Sequence, residues 1–336
     1  MKNQPSLANV LESLNNPALH PTPHLLKNLS GLWGNDLAQF LQTWEQLPDA
    51  RRAEVAKALA DLWESTDDVS FEEIGQHLLK DAHPAVRQSA IALLNETEYN
   101  PSLLTTYLNL LEKDPSADVR FAVATNLQDL MYKYSLDELP QAQGQRMESI
   151  LLNAYTNDNS THVRLRILRV LGYSQRKEIP SLIQAAYTSD NEQKRLNSLY
   201  AMAYSGENKR WEKQVLTSLR SPESGDELEA AAYACGELRL SEAIPVISEF
   251  LEESEPESFP MLLWALGEIG GKAAKEALVA IQALYADDET MQQLVQDALD
   301  SADLQDGILN FGLMDLEDVL NGELDKLEDL GDDLDE

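Results

Sequence analysis

Cysteine is almost absent from this chain: Cys235 is the one thiol in 336 residues. An internal disulfide framework is therefore excluded, and we expect a protein of a reducing, cytoplasmic compartment. Histidine is scarce too, limited to His20, His24, His77, His83 and His162. Only His20 and His24 stand four apart, and the two prolines of "HPTPH" keep them off a single helix face, where a metal pair would need them. No apolar run approaches the roughly 18 residues of a membrane span. The start, "MKNQPSLANV", lacks the charged-then-apolar design of a signal peptide. "GEIGGK" lacks the spacing of a phosphate-binding loop. Cys235 sits in the apolar stretch "AAAYACGEL" and reads as a small core residue. No catalytic residue, cofactor or metal is expected.

Positive charge is also short. Against 58 Asp and Glu there are 26 Lys and Arg, a net charge of −32, which argues against nucleic acid as a partner. The shortage is uneven. Residues 161–220 have eleven basic against five acidic residues, whereas 221–336 have four against 31. A basic island is thus set between acidic stretches.

What is present is repetition. "DAHPAVRQSAIALL" from Asp81, "DPSADVRFAVATNL" from Asp114 and "DNSTHVRLRILRVLG" from Asp158 share Asp, four residues, Val-Arg and a helical apolar pattern. Val86, Val119 and Val163 lie 33 and 44 residues apart. Later copies change form: "RVLGYSQRKEIPSLIQAAY", "YACGELRLSEAIPVISEFL" and "WALGEIGGKAAKEALVAIQAL", with a weaker one around Gly206. The pattern predicts helix ends at Gly172, Gly206, Gly236 and Gly267, with new helices opening near Pro180 and Pro245. His83 or Ser116 would cap a second helix. Neither helix of such a pair can bury its apolar stripe alone, so pairs must stack. The fold class expected is all-α, an α-solenoid of stacked antiparallel helix pairs.

At these residues the chain resembles the HEAT-repeat families, and "ALGEIG" and "CGELRLSEAIPVISEFL" resemble the subtype named after phycobilisome (bilin) lyases. The resemblance covers about residues 70–300. It implies a HEAT-like superhelix with second helices on the concave face. It also implies a structural Asp–Arg ladder using Arg87, Arg120 and Arg164. The HEAT-like deoxyhypusine hydroxylases hold iron through His-Glu pairs; no histidine here is followed by glutamate, so that activity is not expected. The HEAT-like alkylpurine DNA glycosylases need a basic cleft, which the acidity of this chain opposes.

Three regions are expected: a helical cap over 1–69, with Trp33, Trp44 and Trp63 as core filler, the solenoid over 70–302, and an acidic tail over 303–336. The island supplies a candidate anionic-ligand surface: Arg166, Arg169, Arg176, Lys177, Lys194, Arg195, Lys209, Arg210 and Lys213. The tail has 13 acidic residues and one basic. It nevertheless keeps Leu313, Leu316, Leu320, Leu324, Leu327 and Leu330 at helical spacing, a candidate contact face. Glycines 312, 322 and 331 cut it into pieces too short to be stable helices alone. A ligand that folds on binding is one reading and a solubilising tail the other. The overall expectation is a non-catalytic scaffold or adaptor whose partner is another protein. Intramolecular docking of the tail is a second use of the same elements, and a bilin lyase-like subunit is the alternative. No membrane contact is expected.

Overall fold

The computed structural model describes residues 6–95, 100–253 and 259–305, and every regular element among them is helical. No helix among these residues is long and apolar enough to cross a membrane. The chain divides into two compact units, Met1–Ser174 and Gln175–Glu336.

The first unit opens with α1 (Leu7–Asn15), α2 (Pro23–Leu26), a 3-10 turn at Lys27–Leu29, α3 (Gly34–Trp44) and α4 (Asp49–Ser65). Three pairs follow: α5 (Glu72–Leu78) with α6 (Pro84–Leu93), α7 (Pro101–Lys113) with α8 (Ala117–Ser135), and α9 (Gln141–Asn157) with α10 (Thr161–Leu171). Helices α4, α6, α8 and α10 pack on one another in that order, and α7 packs on α9. Val119, Val123, Leu127 and Met131 show why: at spacings of four they put one buried stripe along α8.

The repeated Asp and Arg each serve twice. Asp81, Asp114 and Asp158 accept the N–H of the residue two further on, at 2.8, 2.9 and 2.7 Å, which fixes the turn before the second helix. At Ser116 this aspartate replaces the expected serine cap, whose side chain makes no capping bond. His83 does cap, accepting from the Ala85 N–H at 3.3 Å. The same aspartates receive the arginine of the preceding repeat. Arg87 is bidentate on Asp114, at 2.7 Å in both bonds, and Arg120 on Asp158, at 2.7 and 2.9 Å. Each arginine also closes on the carbonyl six residues back, Asp81 O or Asp114 O.

Asp81 takes the Trp44 indole N–H and the Arg52 guanidinium, both at 2.9 Å, so α3 and α4 feed the same ladder. Arg164 departs from its expected place: it donates to the Thr161 hydroxyl, and its Nε is buried without a partner among the described residues. Trp44 is core, as expected, but Trp33 is 81% exposed. The left-handed Gly31 and Gly34 flank it and turn the chain outward.

The second unit repeats the scheme with α11 (Ile179–Tyr187) and α12 (Glu192–Tyr204), α13 (Asn208–Arg220) and α14 (Gly225–Glu237), α15 (Ile244–Glu253) and α16 (Phe259–Ile269), and α17 (Gly271–Leu284) and α18 (289–305). The second helices α12, α14 and α16 pack in sequence. Gly206 ends α12 with φ of +63°, as predicted. The helix end at Gly172 holds as well, since α10 stops at Leu171 with Gly172 as its C-cap, but the other two assignments are corrected. Gly172 is right-handed, and Gly236 and Gly267 lie inside α14 and α16; the left-handed residues are Arg239 and Gly270, three positions later. Gly236 and Gly267 are small because a neighbour crosses there. A Cβ on Gly236 would lie 2.8 Å from the Trp264 ring, and one on Gly267 would lie 2.9 Å from the Ala298 carbonyl oxygen.

Candidate functional site: the second-helix face

The expected cationic residues are divided between the units. On α10, Arg166 is half-buried and donates to Gln128 Oε1 at 2.8 Å, with Arg169 half-buried on the same helix face. The remaining seven belong to the second unit. Arg176 lies 3.0 Å from Glu178, and Arg210 lies 2.6 Å from Glu207. Arg195 pairs with Glu223 and donates to the carbonyl of Ser189, six residues back, which is the ladder arginine's own contact. Lys177, Lys194, Lys209 and Lys213 are exposed. Arg176 and Lys177 precede α11, and Lys209, Arg210 and Lys213 sit on α13, so these five are on the first-helix side of their pairs. Of the seven in this unit, Lys194 and Arg195 alone are on a second helix, in its first turn. Leu313, Leu316, Leu320, Leu324, Leu327 and Leu330 lie outside the described residues.

The second helices present aromatic rings instead. In the first unit Phe121 of α8 stacks on His162 of α10, with centroids 4.0 Å apart, and Tyr132 meets Tyr173 at 5.5 Å. In the second unit a continuous row joins three helices. Tyr200 and Tyr204 of α12 contact Tyr233 of α14 at 5.3 and 6.1 Å, and Tyr233 stacks on Trp264 of α16 at 5.0 Å and 8°. All four of these rings are half-buried. Gly236 makes the stack, because only a residue without a Cβ lets the indole lie flat against α14. Sequence reasoning missed this row although its signal is present. Tyr233 and Trp264 each stand three residues before Gly236 and Gly267 in "YACG" and "WALG".

Titration works against chemistry at this row. Burial, then the Tyr204 hydroxyl and the Glu237 carboxylate, push the Tyr233 phenol well above its ordinary value, so it stays neutral. Burial pushes the Cys235 thiol up to about 12, opposed by the Arg220 charge. Ellman's reagent should therefore label native protein two to three orders of magnitude more slowly than urea-unfolded protein at the same pH, about the deficit in thiolate. A native rate matching the unfolded one would refute the core assignment. No group of three or more His, Cys, Asp or Glu able to hold a metal occurs among the described residues. The first unit also has a groove of about 750 Å³ along Leu79–Pro84 and Thr106–Ser116, whose floor is the Arg87–Asp114 rung. Arg87 and Asp114 neutralise each other there, and Lys80 and Lys113 are the other charged residues of its lining.

Residues 227–253, which make up most of α14 and α15, match the family model of the PBS lyase HEAT-like repeat. The chain contains a HEAT-like repeat. Among solved structures it is similar to YibA of E. coli, with 16% identity over 83% of this chain and 95% of that one and a TM-score of 0.47. Human deoxyhypusine hydroxylase matches with 19% identity over 88% and 96% of the two chains and a TM-score of 0.28. Kap121p bound to Nup53p matches with 18% identity over 96% of this chain but 34% of that one, and a TM-score of 0.39. No curated protein matches the sequence. The HEAT-like repeat and the stacked helix pairs together make the fold an all-α helical-repeat architecture.

Proposed function

We propose that this protein is a cytoplasmic, non-catalytic scaffold or adaptor that binds another protein through its second-helix face. The aromatic row of Tyr200, Tyr204, Tyr233 and Trp264 supports this reading. Large rings left half-exposed in register on successive helices cost solvation, and they provide rigid, amphipathic contact area of the kind that dominates interface energetics. By resemblance to HEAT solenoids this is the concave face.

The tail, 303–336, is the second element of the proposal. Its acidity suits the exposed Lys177, Lys194, Lys209 and Lys213 on or before helices of the second unit, in cis or against a partner. The helical cap over 1–69 belongs to the same reading, closing the end of the repeat stack.

Photo-crosslinking tests the face. Benzoylphenylalanine in place of Tyr200 or Trp264 should give a discrete protein adduct in cells, while the same group at Val279, exposed on α17, should give none above background. Equal labelling at all three positions would rule out a dedicated second-helix face.

A further inference from the structure

The aromatic row of the second unit is bordered mainly by negative charge, with Arg239, just past α14, donating to Gln305 Oε1 of α18. Helix α14 has Asp226, Glu227, Glu229 and Glu237, α16 has Glu268, and α18 has Glu289, Asp297, Asp300 and Asp303. None of the three helices contains a lysine or arginine. Beyond its first residue, the part of α14 that is not buried is one stripe: Asp226, Glu229, Tyr233 and Glu237, at spacings of three and four. On α16 the corresponding stripe is Pro260, Met261, Trp264 and Glu268.

Asp226, Glu229, Glu237 and Glu268 form no ion pair among the described residues. Asp303 differs, being 2.5 Å from Lys275. Glu268 is held in place, accepting from the Ser301 hydroxyl at 3.0 Å and the Gln305 amide at 2.9 Å. Tyr233 contributes no charge of its own, since its phenol stays protonated.

We infer that the α14–α16 face takes an extended, arginine-rich segment of the partner, an inference that rests on the scaffold reading above. A guanidinium is the group that uses both features together. Its flat face stacks on an indole or phenol while its edge donates two parallel bonds to a carboxylate. A lysine ammonium would use the carboxylates as a point charge and gain less from the rings. Neighbouring helix axes lie about 8–10 Å apart. A polyproline II segment, the extended form with three residues per turn, covers that in three residues at roughly 3.1 Å each, so arginines spaced i, i+3 point the same way and meet successive stripes. The protein's own tail, with 13 acidic residues against one basic, has the wrong sign for this face.

The test uses the full-length protein with labelled octaarginine and octalysine peptides. In proton–nitrogen spectra the Trp264 indole resonance, assigned through Trp264→Phe, should shift on adding octaarginine. Trp264→Ala should weaken octaarginine binding about 5- to 30-fold, the range of a desolvated cation–π contact, and octalysine binding far less. The pair Glu229→Gln with Glu237→Gln should weaken both peptides and flatten the salt dependence. An unmoved Trp264 indole, or octalysine binding as tightly as octaarginine, would overturn the inference and assign any affinity to charge alone. A neutral proline-rich peptide shifting the same indole more than octaarginine would overturn it too. If the peptide result fails while crosslinks still form at positions 200 and 264, the scaffold reading stands and only the arginine chemistry falls. Loss of the crosslinks removes the scaffold reading itself.

Discussion

Replacing Asp158 by alanine is expected to destabilise the first unit by about 3–5 kcal/mol, because it strands a buried arginine. Both side chains of the pair are nearly inaccessible, Arg120 at 9% and Asp158 at 4%. Arg120 would keep its bonds to the Asp114 carbonyl and Asn159 but lose a bidentate carboxylate, and Ser160 would lose its turn acceptor. Urea unfolding followed by circular dichroism measures the loss. A change under about 1 kcal/mol would show that the rung behaves like an exposed pair.

The effect has a defined pH dependence. Burial alone would raise the Asp158 carboxyl; bonds from Arg120 and the Ser160 N–H, with the charges of Arg120 and Arg164, outweigh it and hold the pKa below the ordinary 3.8. A depressed folded value means the rung contributes fully above the unfolded pKa and is lost as pH falls through the folded one. The gap between wild type and Asp158→Ala should therefore be constant at neutral pH and close only below about pH 4.

Gly267→Ala is expected to cost about 1–3 kcal/mol by overpacking. Alanine in a helix interior is ordinarily better than glycine by roughly 0.5–1 kcal/mol, so this prediction reverses the intrinsic preference. The reversal comes from geometry. The new Cβ would sit 2.9 Å from the Ala298 carbonyl oxygen and 3.2 Å from Ser301 Cβ. Backbone cannot swing aside as a side chain can, so α16 and α18 must separate. Gly225→Ala is the control: that position has open space around it and no left-handed φ, so the substitution should be neutral or slightly stabilising. A stabilised Gly267→Ala protein would mean the two helices are not held at this distance.

The residues that spoke clearly in the sequence act locally or in repeated register. Asp, four residues and Val-Arg marks a turn acceptor and a helix start at once, because both contacts lie within seven residues. The buried stripes of α8 follow from periodicity alone. Gly236 and Gly267 were legible as repeat markers and misleading as helix stops. A glycine required by a left-handed turn and one required by a crossing helix look identical in a single sequence. Arg195 was misleading in the same way: its charge placed it in a ligand surface, while Glu223, 28 residues on, pairs with it.

The sequence by itself determined the all-α repeat, the short helices that must stack and the uneven charge, and it marked the repeated Asp and Arg that resemblance to HEAT repeats joins into a ladder. Each of these is set by periodicity or by partners one repeat away. Only the tertiary structure decided which rings share a face. Tyr200, Tyr233 and Trp264 lie more than thirty positions apart, and their stack depends on how closely two helices approach over a missing Cβ. That separation between helix axes is set by packing, which no local pattern encodes.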